Sequence, residues 1–393
     1  MKHLLVAKFI MLMIGLWRLP LESLTDAQNL IYKCHSVFMQ SYFICFVVAL
    51  YLGIFPLGKV NIEKTMEGLA ITILCTIVTI KAYICQRKGF TEIISYIVNY
   101  ENKIKDLDEE NYIVYKSYAL YTKKICITLF TYSSLCGVTL VISKFILYTQ
   151  QLKNNNELDV EIEKPLPYVV WRPVDEKDHY FTAFSLDTLS AIIGCTFNTV
   201  TQLIFLSIMT FIAGQLEILQ RRFKRYGSLC SQHDTFEKKF EILKSLIVEH
   251  QQLIAYIEKL DENMKYLILL EYSINSLLIT SVLYQILFFK VDARILFSVT
   301  YLGCMLFQMF LLAYHGNEIK IQSIGVSQAV YESEWDDVPV NLRRILMLVM
   351  IRAQRPLKIS VGPFFILTTD TAVTSVKAAY SYFTLLKNGE GRK

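Results

Sequence analysis

The sequence predicts an all-helical membrane protein: seven transmembrane helices, an intracellular N-terminus, an extracellular C-terminus and a cytoplasmic helical anchor. Three observations carry that expectation. Of 393 residues, 53% are hydrophobic and 19% charged, with a mean hydropathy of +0.37, a composition foreign to disordered, collagen-like or disulfide-scaffold chains. Seven apolar runs reach the roughly 20 residues that a helix needs to cross the hydrocarbon. Lys and Arg are spread unevenly about those runs, which gives them a direction.

Residues 1–35 form a cytoplasmic N-terminal segment in this reading. Its apolar stretch, 4–17, is followed by Arg18, Pro20 and Glu22 without a small-residue cleavage site, so it reads as an amphipathic or interfacial entry segment and not as a removed signal peptide. Six spans fall within 36–314, at 36–55, 66–85, 125–147, 185–213, 266–289 and 295–314. Ahead of the fifth, Phe240, Leu243, Ile247, Ile254, Ile257, Met264 and Leu267 recur near helical period. They predict one helix from about 235 to 289, about 80 Å long, more than half of it projecting below a bilayer core of ~30 Å. Such a stalk must bury its apolar stripe against other parts of the chain or against other subunits.

Residues 315–361 are expected to form the anchor. An apolar helical pattern over 340–351 is flanked by Arg343, Arg344, Arg352 and Arg355 before Pro356 interrupts it. Residues 362–393 then supply the last helix, expected to open at Gly362-Pro363, and a short extracellular tail. Along that helix Asp370, Thr374, Lys377, Ser381, Leu385 and Asn388 share one face, and Phe365, Ala372, Val376, Ala379 and Phe383 the other. A polar stripe on a membrane helix must meet protein or water. It serves either interhelical packing or the lining of a pore built by several subunits.

Outside the spans, 26 Lys and Arg fall on the side of the N-terminus and 11 on the other. That places the N-terminus inside and the C-terminus outside, the reverse of a G-protein-coupled chemoreceptor. The outer loop 148–184 also contains no Cys that could tie it to the third span. It carries Glu157, Asp159, Glu161, Glu163, Asp175, Glu176 and Asp178 against four basic residues, either as a solvated loop or as a surface that enriches cations. A secondary transporter would show paired broken helices, and only one broken segment is present.

Catalysis has no local signature here: there is no phosphate loop, GxSxG or HExxH. The six His are scattered and no CxxC occurs among the nine Cys, so neither a metal site nor a cofactor is expected. The net charge of +5 is dispersed, which leaves the lipid bilayer and not nucleic acid as the indicated partner.

Four ordered segments near the C-terminus are specific: Tyr314-His315-Gly316-Asn317-Glu318-Ile319, Tyr331-Glu332-Ser333-Glu334-Trp335, Ile351-Arg352-Ala353-Gln354-Arg355-Pro356, and Ala379-Tyr380-Ser381-Tyr382-Phe383-Thr384-Leu385-Leu386. They resemble the C-terminal signatures of insect odorant receptors. The Thr-Tyr and Gln-Phe ending of the related gustatory-receptor channels is missing. The resemblance implies a heterotetrameric, ligand-gated, non-selective cation channel in the plasma membrane of olfactory sensory neurons, opened by a volatile apolar small molecule. The 52-residue segment 214–265 has no room for the insertion of the shared co-receptor, so the chain is similar to the odorant-tuned subunit that partners it. By the same resemblance the last helix surrounds the pore, with Leu385 at the hydrophobic gate and Ser381 and Asn388 on the pore face. The implied pocket lies in the outer half of spans two to six. Ser134, Gly137, Val141 and Phe145 share one face of span three, and Leu69, Ile73, Ile193, Phe197 and Tyr284 are candidate walls. Gly137 leaves a gap that a small ligand could fill. Each of these residues also reads as simple helix packing.

Overall fold

The computed structural model describes residues 2–20, 25–57, 62–103, 108–158, 165–172, 178–231, 235–288, 293–335 and 338–390. Over them the chain forms α1 (Leu5–Met13), α2 (Asp26–Leu57), α3 (Ile62–Gln86), α4 (Lys88–Lys103), α5 (Glu109–Leu158), α6 (Tyr180–Lys224), α7 (Tyr226–Ser231), α8 (Phe236–Phe288), α9 (Ala293–Tyr331) and α10 (Val340–Ala353). A two-stranded hairpin, β1 (Ser360–Val361) and β2 (Phe365–Ile366), leads into α11 (Thr369–Glu390). Six described helices are long and apolar enough to cross a membrane: Asp26–Ile54, Gly68–Gln86, Glu109–Leu152, Tyr180–Lys224, Phe236–Leu287 and Arg294–Tyr331. The first six expected spans thus fall within longer helices, and the expected loops 86–124 and 214–265 are largely helical.

Helix α6 is the axis of the bundle. Every residue from 199 to 216 is buried, because α5 and α9 cover its sides and α3 and α8 close the rest. Its polar residues are satisfied locally, as all-round burial requires: the Ser207 hydroxyl donates to Leu203 O, and Thr210 to Leu206 O. Helix α4 lays Phe90, Ile93, Ile94 and Ile97 into the core beneath α3.

The entry segment docks into the bundle on one side. Ala7, Ile10, Met11, Leu16 and Trp17 are buried, while Leu5, Phe9 and Met13 stay exposed on the opposite face. The Glu101 carboxylate accepts hydrogen bonds from the His3 and Leu4 N–H groups, two donors that a helix start leaves without intrahelical partners. Burial holds the Glu101 carboxyl above the usual carboxylate range. The His3 ring is fully buried, with Nε2 donating to Ser207 O at 2.9 Å beside Thr210 and Thr122. Burial lowers its pKa to about 4.

Helix α8 is one unbroken element of 53 residues, about 80 Å long at 1.5 Å per residue. It emerges from the sequence pattern as expected, and its stripe is covered from within the chain: Leu243, Leu246, Leu253, Ile257 and Leu260 are buried. The last helix starts later than the Gly-Pro pair suggests. Gly362 has φ +59, a left-handed conformation that a helix start excludes. Its N–H donates to Lys265 O at 2.8 Å, and the Ser360 N–H to Asp261 Oδ1 at 2.5 Å. Strand β1 pairs antiparallel with β2 across that turn, and α11 begins only at Thr369. Phe365 therefore sits exposed in the hairpin and not on the helix.

From there α11 follows α8 in parallel. The Ser276 hydroxyl approaches Ser375 O and the Thr280 hydroxyl Ala379 O, each 99 positions apart. Ala372, Ala379 and Phe383 are buried in this seam. The polar stripe turns away from the chain's own bundle: Asp370, Thr374, Lys377, Ser381 and Leu385 are all exposed.

Candidate ligand-binding site

A cavity of about 170 Å³ lies between α2, α3, α5, α6, α8 and α9. Its walls are apolar or small, with Phe43, Phe46, Leu74, Val78, Leu278, Tyr301 and Met305 alternating with Ala70, Gly137 and Gly194. Four thiols, Cys75, Cys136, Cys195 and Cys304, also line it, all of them free. Among the described residues no three His, Cys, Asp or Glu side chains converge closely enough to hold a metal ion.

The segment 165–172 closes one end. Tyr168 enters the lining and packs edge-on against Phe46 at 5.5 Å. The Trp171 N–H donates to Ala49 O at 2.9 Å, and the Tyr168 N–H to Asp187 Oδ2. Arg172 Nη2 lies 2.6 Å from the buried Asp187 carboxylate. Gly53 makes the seating possible: a Cβ there would stand 2.7 Å from Trp171 N and 2.8 Å from Val170 Cα.

The other end is polar. Lys81 Nζ, 2% exposed, lies 2.7 Å from Glu271 Oε1, which also accepts from the Gln202 amide. An isolated charge in the bilayer core costs at least about 2.5 to 3.5 kcal/mol, so the pair persists because each charge neutralises the other. Losing one partner of a buried pair costs about 3 to 5 kcal/mol, whereas the intact pair stabilises little.

A second cavity, about 300 Å³, runs between α5 and α6. Val138, Ile142 and Ile192 in its lining are 45% to 60% exposed, so it is a lateral groove on the outside of the bundle. Ser133, Gly137 and Cys195 border both spaces.

The residues singled out in the sequence scatter about these features. Gly137 lies in both walls, and Ser134 and Val141 line the groove. Phe197 is buried one layer back, stacked on Phe43 at 4.7 Å. Leu69 and Phe145 are exposed, and Ile73, Ile193 and Tyr284 are half-buried outside both linings. On α3 the lining is Ala70, Ile71, Leu74, Cys75, Ile77, Val78 and Lys81, one helical step from Leu69 and Ile73. Polar and small residues within the spans, Lys81, Asn198, Glu271, Asn275, Ala70 and Gly194, were the available signal for the inward face. Ser381 and Leu385 are exposed on α11. The side chains of Glu157 and Asn388, and the acidic residues 159, 161, 163, 175 and 176, lie outside the described residues.

Residues 61–380 match the family model described as 7tm Odorant receptor. Similar curated proteins include Odorant receptor 10 of Aedes albopictus, 27% identical over 225 residues that make up 56% of this chain and 60% of that protein. Odorant receptor Or2 of Anopheles gambiae is 31% identical over 176 residues, 45% of this chain and 47% of its own length. The matches thus span about half to three-fifths of these relatives. Among solved structures, the insect olfactory receptor OR5 from Machilis hrabei superposes with a TM-score of 0.76 at 15% identity, covering 97% of this chain and 96% of that one. Its complex with eugenol gives 0.73 at 15% identity, covering 98% and 99%.

Proposed function

The chain belongs to the 7tm odorant receptor family, a multi-pass membrane receptor and not an enzyme, and from that premise we propose that it is the odorant-tuned subunit of a ligand-gated, non-selective cation channel. In this reading it assembles with a shared co-receptor as a heterotetramer in the plasma membrane of olfactory sensory neurons, N-terminus inside and C-terminus outside. A small volatile molecule occupies the cavity beneath the 165–172 segment.

The observation that carries the reading is the cavity itself. An apolar space of about 170 Å³, enclosed by helices that cross the membrane, is matched to a one-ring molecule, since a cavity of about 150 Å³ holds benzene. The OR5 structure that shares the fold binds eugenol. Conduction is assigned to α11, whose stripe from Asp370 to Leu385 turns away from its own chain and would face the matching stripes of neighbouring subunits. Helix α8 links the two, presenting Asn275, Leu278 and Val282 to the cavity and Ser276 and Thr280 to α11. A ligand opens the channel only by binding the open arrangement more tightly than the closed one.

The test is electrical. Cells expressing this chain with a co-receptor subunit, with G-protein signalling blocked, are expected to carry odorant-evoked cation current that cells lacking either subunit do not. Current abolished by the G-protein block would overturn the channel reading. A tag ahead of Met1 should stain only after permeabilisation and a tag after Lys393 on intact cells; the opposite pattern would overturn the orientation.

A further inference from the structure

At its floor the cavity changes chemistry. Successive spans alternate in direction, so the highest-numbered lining residues of α3, α6 and α9 meet the lowest-numbered ones of α5 and α8 at one end. Those residues are Lys81, Asn198 and Gln308 with Ser133 and Glu271, and every one is polar. The contacts confirm the level: Lys81 pairs with Glu271, and the Thr199 hydroxyl donates to Ser133 Oγ at 2.5 Å. The opposite end gathers Ser190, Gln285 and Ser298, polar but uncharged, so that among the described lining residues the charges stand at the floor alone.

The ion pair is not saturated. Among the described residues Lys81 has Glu271 as its one partner, leaving two ammonium protons uncommitted. Both partners of Glu271, Lys81 and Gln202, go to Oε1, which leaves Oε2 as a free acceptor. A buried site that offers donors and an acceptor together is complementary to a group that is both, and a hydroxyl is such a group with a single polar atom and no tendency to ionise. We propose that the cavity selects molecules of one-ring size bearing a single hydroxyl, an alcohol or phenol. The hydroxyl oxygen accepts from Lys81, its proton goes to Glu271 Oε2, and the hydrocarbon body lies against the apolar wall.

This rests on the cavity being the odorant site, and it adds a direction of discrimination. A hydrocarbon of the same shape leaves the spare Lys81 protons and Glu271 Oε2 without a hydrogen-bond partner. A site built to bond a hydroxyl rejects the analogue that lacks it more strongly than a greasy pocket rejects a missing methylene. With hydrogen bonds to charged groups at stake, the preference is expected to be about 10- to 100-fold in affinity.

The test uses the purified full-length protein in lipid nanodiscs, with protein-free vesicles as the partition background and two probes of equal heavy-atom count, benzyl alcohol and ethylbenzene. The unmodified protein should bind benzyl alcohol about 10- to 100-fold more tightly. Lys81→Met combined with Glu271→Gln, which removes both charges together, should erase that preference while leaving ethylbenzene binding in place. Should that pair not fold, Lys81→Met combined with Glu271→Met, which likewise leaves neither charge unpaired, gives the same readout. Equal affinity for both probes, each lost in Gly137→Trp, would overturn the hydroxyl selection and leave the cavity as the binding site. Binding indifferent to Gly137→Trp, or no binding of either probe, would remove the cavity reading along with it.

Discussion

Replacing Gly53 by Ala should unseat the segment that closes the cavity. The new Cβ would stand 2.7 Å from Trp171 N and 2.8 Å from two atoms of Val170, all backbone, so no side-chain rotation can relieve the contact and the segment must shift. Overpacking of this kind costs about 1 to 3 kcal/mol, and the displaced Trp171 N–H forfeits its bond to Ala49 O, worth about 1 kcal/mol. Against that, Ala favours the α2 helix over Gly by about 1 kcal/mol. The net is about 2 kcal/mol against the closed arrangement, or roughly a 30-fold rise in its open population. Hydrogen–deuterium exchange of the peptide containing Trp171 reads that population, because the protected amide is the one whose bond is lost. The control is Gly137→Ala, where the added Cβ would meet only Cys195 Sγ at 3.4 Å, an ordinary contact, and exchange at Trp171 should not change. Equal exchange in Gly53→Ala and the unmodified protein would refute the claim that close approach at Gly53 holds the segment shut.

Gly137→Trp should fill the shared wall of the cavity and the groove, lowering odorant potency while surface expression and co-receptor agonist responses persist; unchanged potency across a ligand panel would remove Gly137 from the site. Leu385→Ser should raise ligand-free current per channel by making a dewetted constriction polar, whereas loss of packing would lower surface protein and current together; a variant at the surface with unaltered leak and permeability would take Leu385 out of the gate. His3 should make docking of the entry segment acid-sensitive. Its pKa falls from 6.5 to about 4 on burial, so its contribution is complete above 6.5 and lost as pH falls through that window, about 2 kcal/mol by pH 5. Protection over residues 3–17, taken relative to the intrinsic exchange rate at each pH, should therefore fall roughly 30-fold between pH 7.5 and 5 and lose that dependence in His3→Gln. Glu101→Gln is the background of choice, since the raised Glu101 carboxyl titrates in the opposite sense. Exchange unaffected by acid in that background would contradict the assignment.

Periodicity made the first half of α8 legible because Leu243, Ile257 and Met264 contrast with charged neighbours. Inside the hydrocarbon that contrast vanishes. Leu69 and Ala70 are equally at home in lipid or against protein, so apolarity cannot say which faces inward, and the helical phase chosen around Leu69 and Ile73 misses the lining by one step. The stripe on α11 was readable for the converse reason: Asp370, Thr374 and Lys377 cannot be indifferent to where they point. The start of α11 was not, since Gly362-Pro363 reads locally as a helix opening and acquires its turn from Asp261 and Lys265, about a hundred positions away. No window of sequence contains both ends of that contact.

The seam between α8 and α11 bears on biogenesis. Six described helices reach the apolarity for crossing a membrane, and α11 is not among them, so its insertion leans on an α8 already in place to receive Ala372, Ala379 and Phe383. The chain would then complete itself from a provisional six-span intermediate, its last helix entering as a docking event. A solitary copy leaves Asp370 and Lys377 exposed on α11, where a charge facing hydrocarbon is costly. Under the proposed assembly, the number of receptors reaching the cell surface would follow the supply of neighbouring subunits able to cover that stripe.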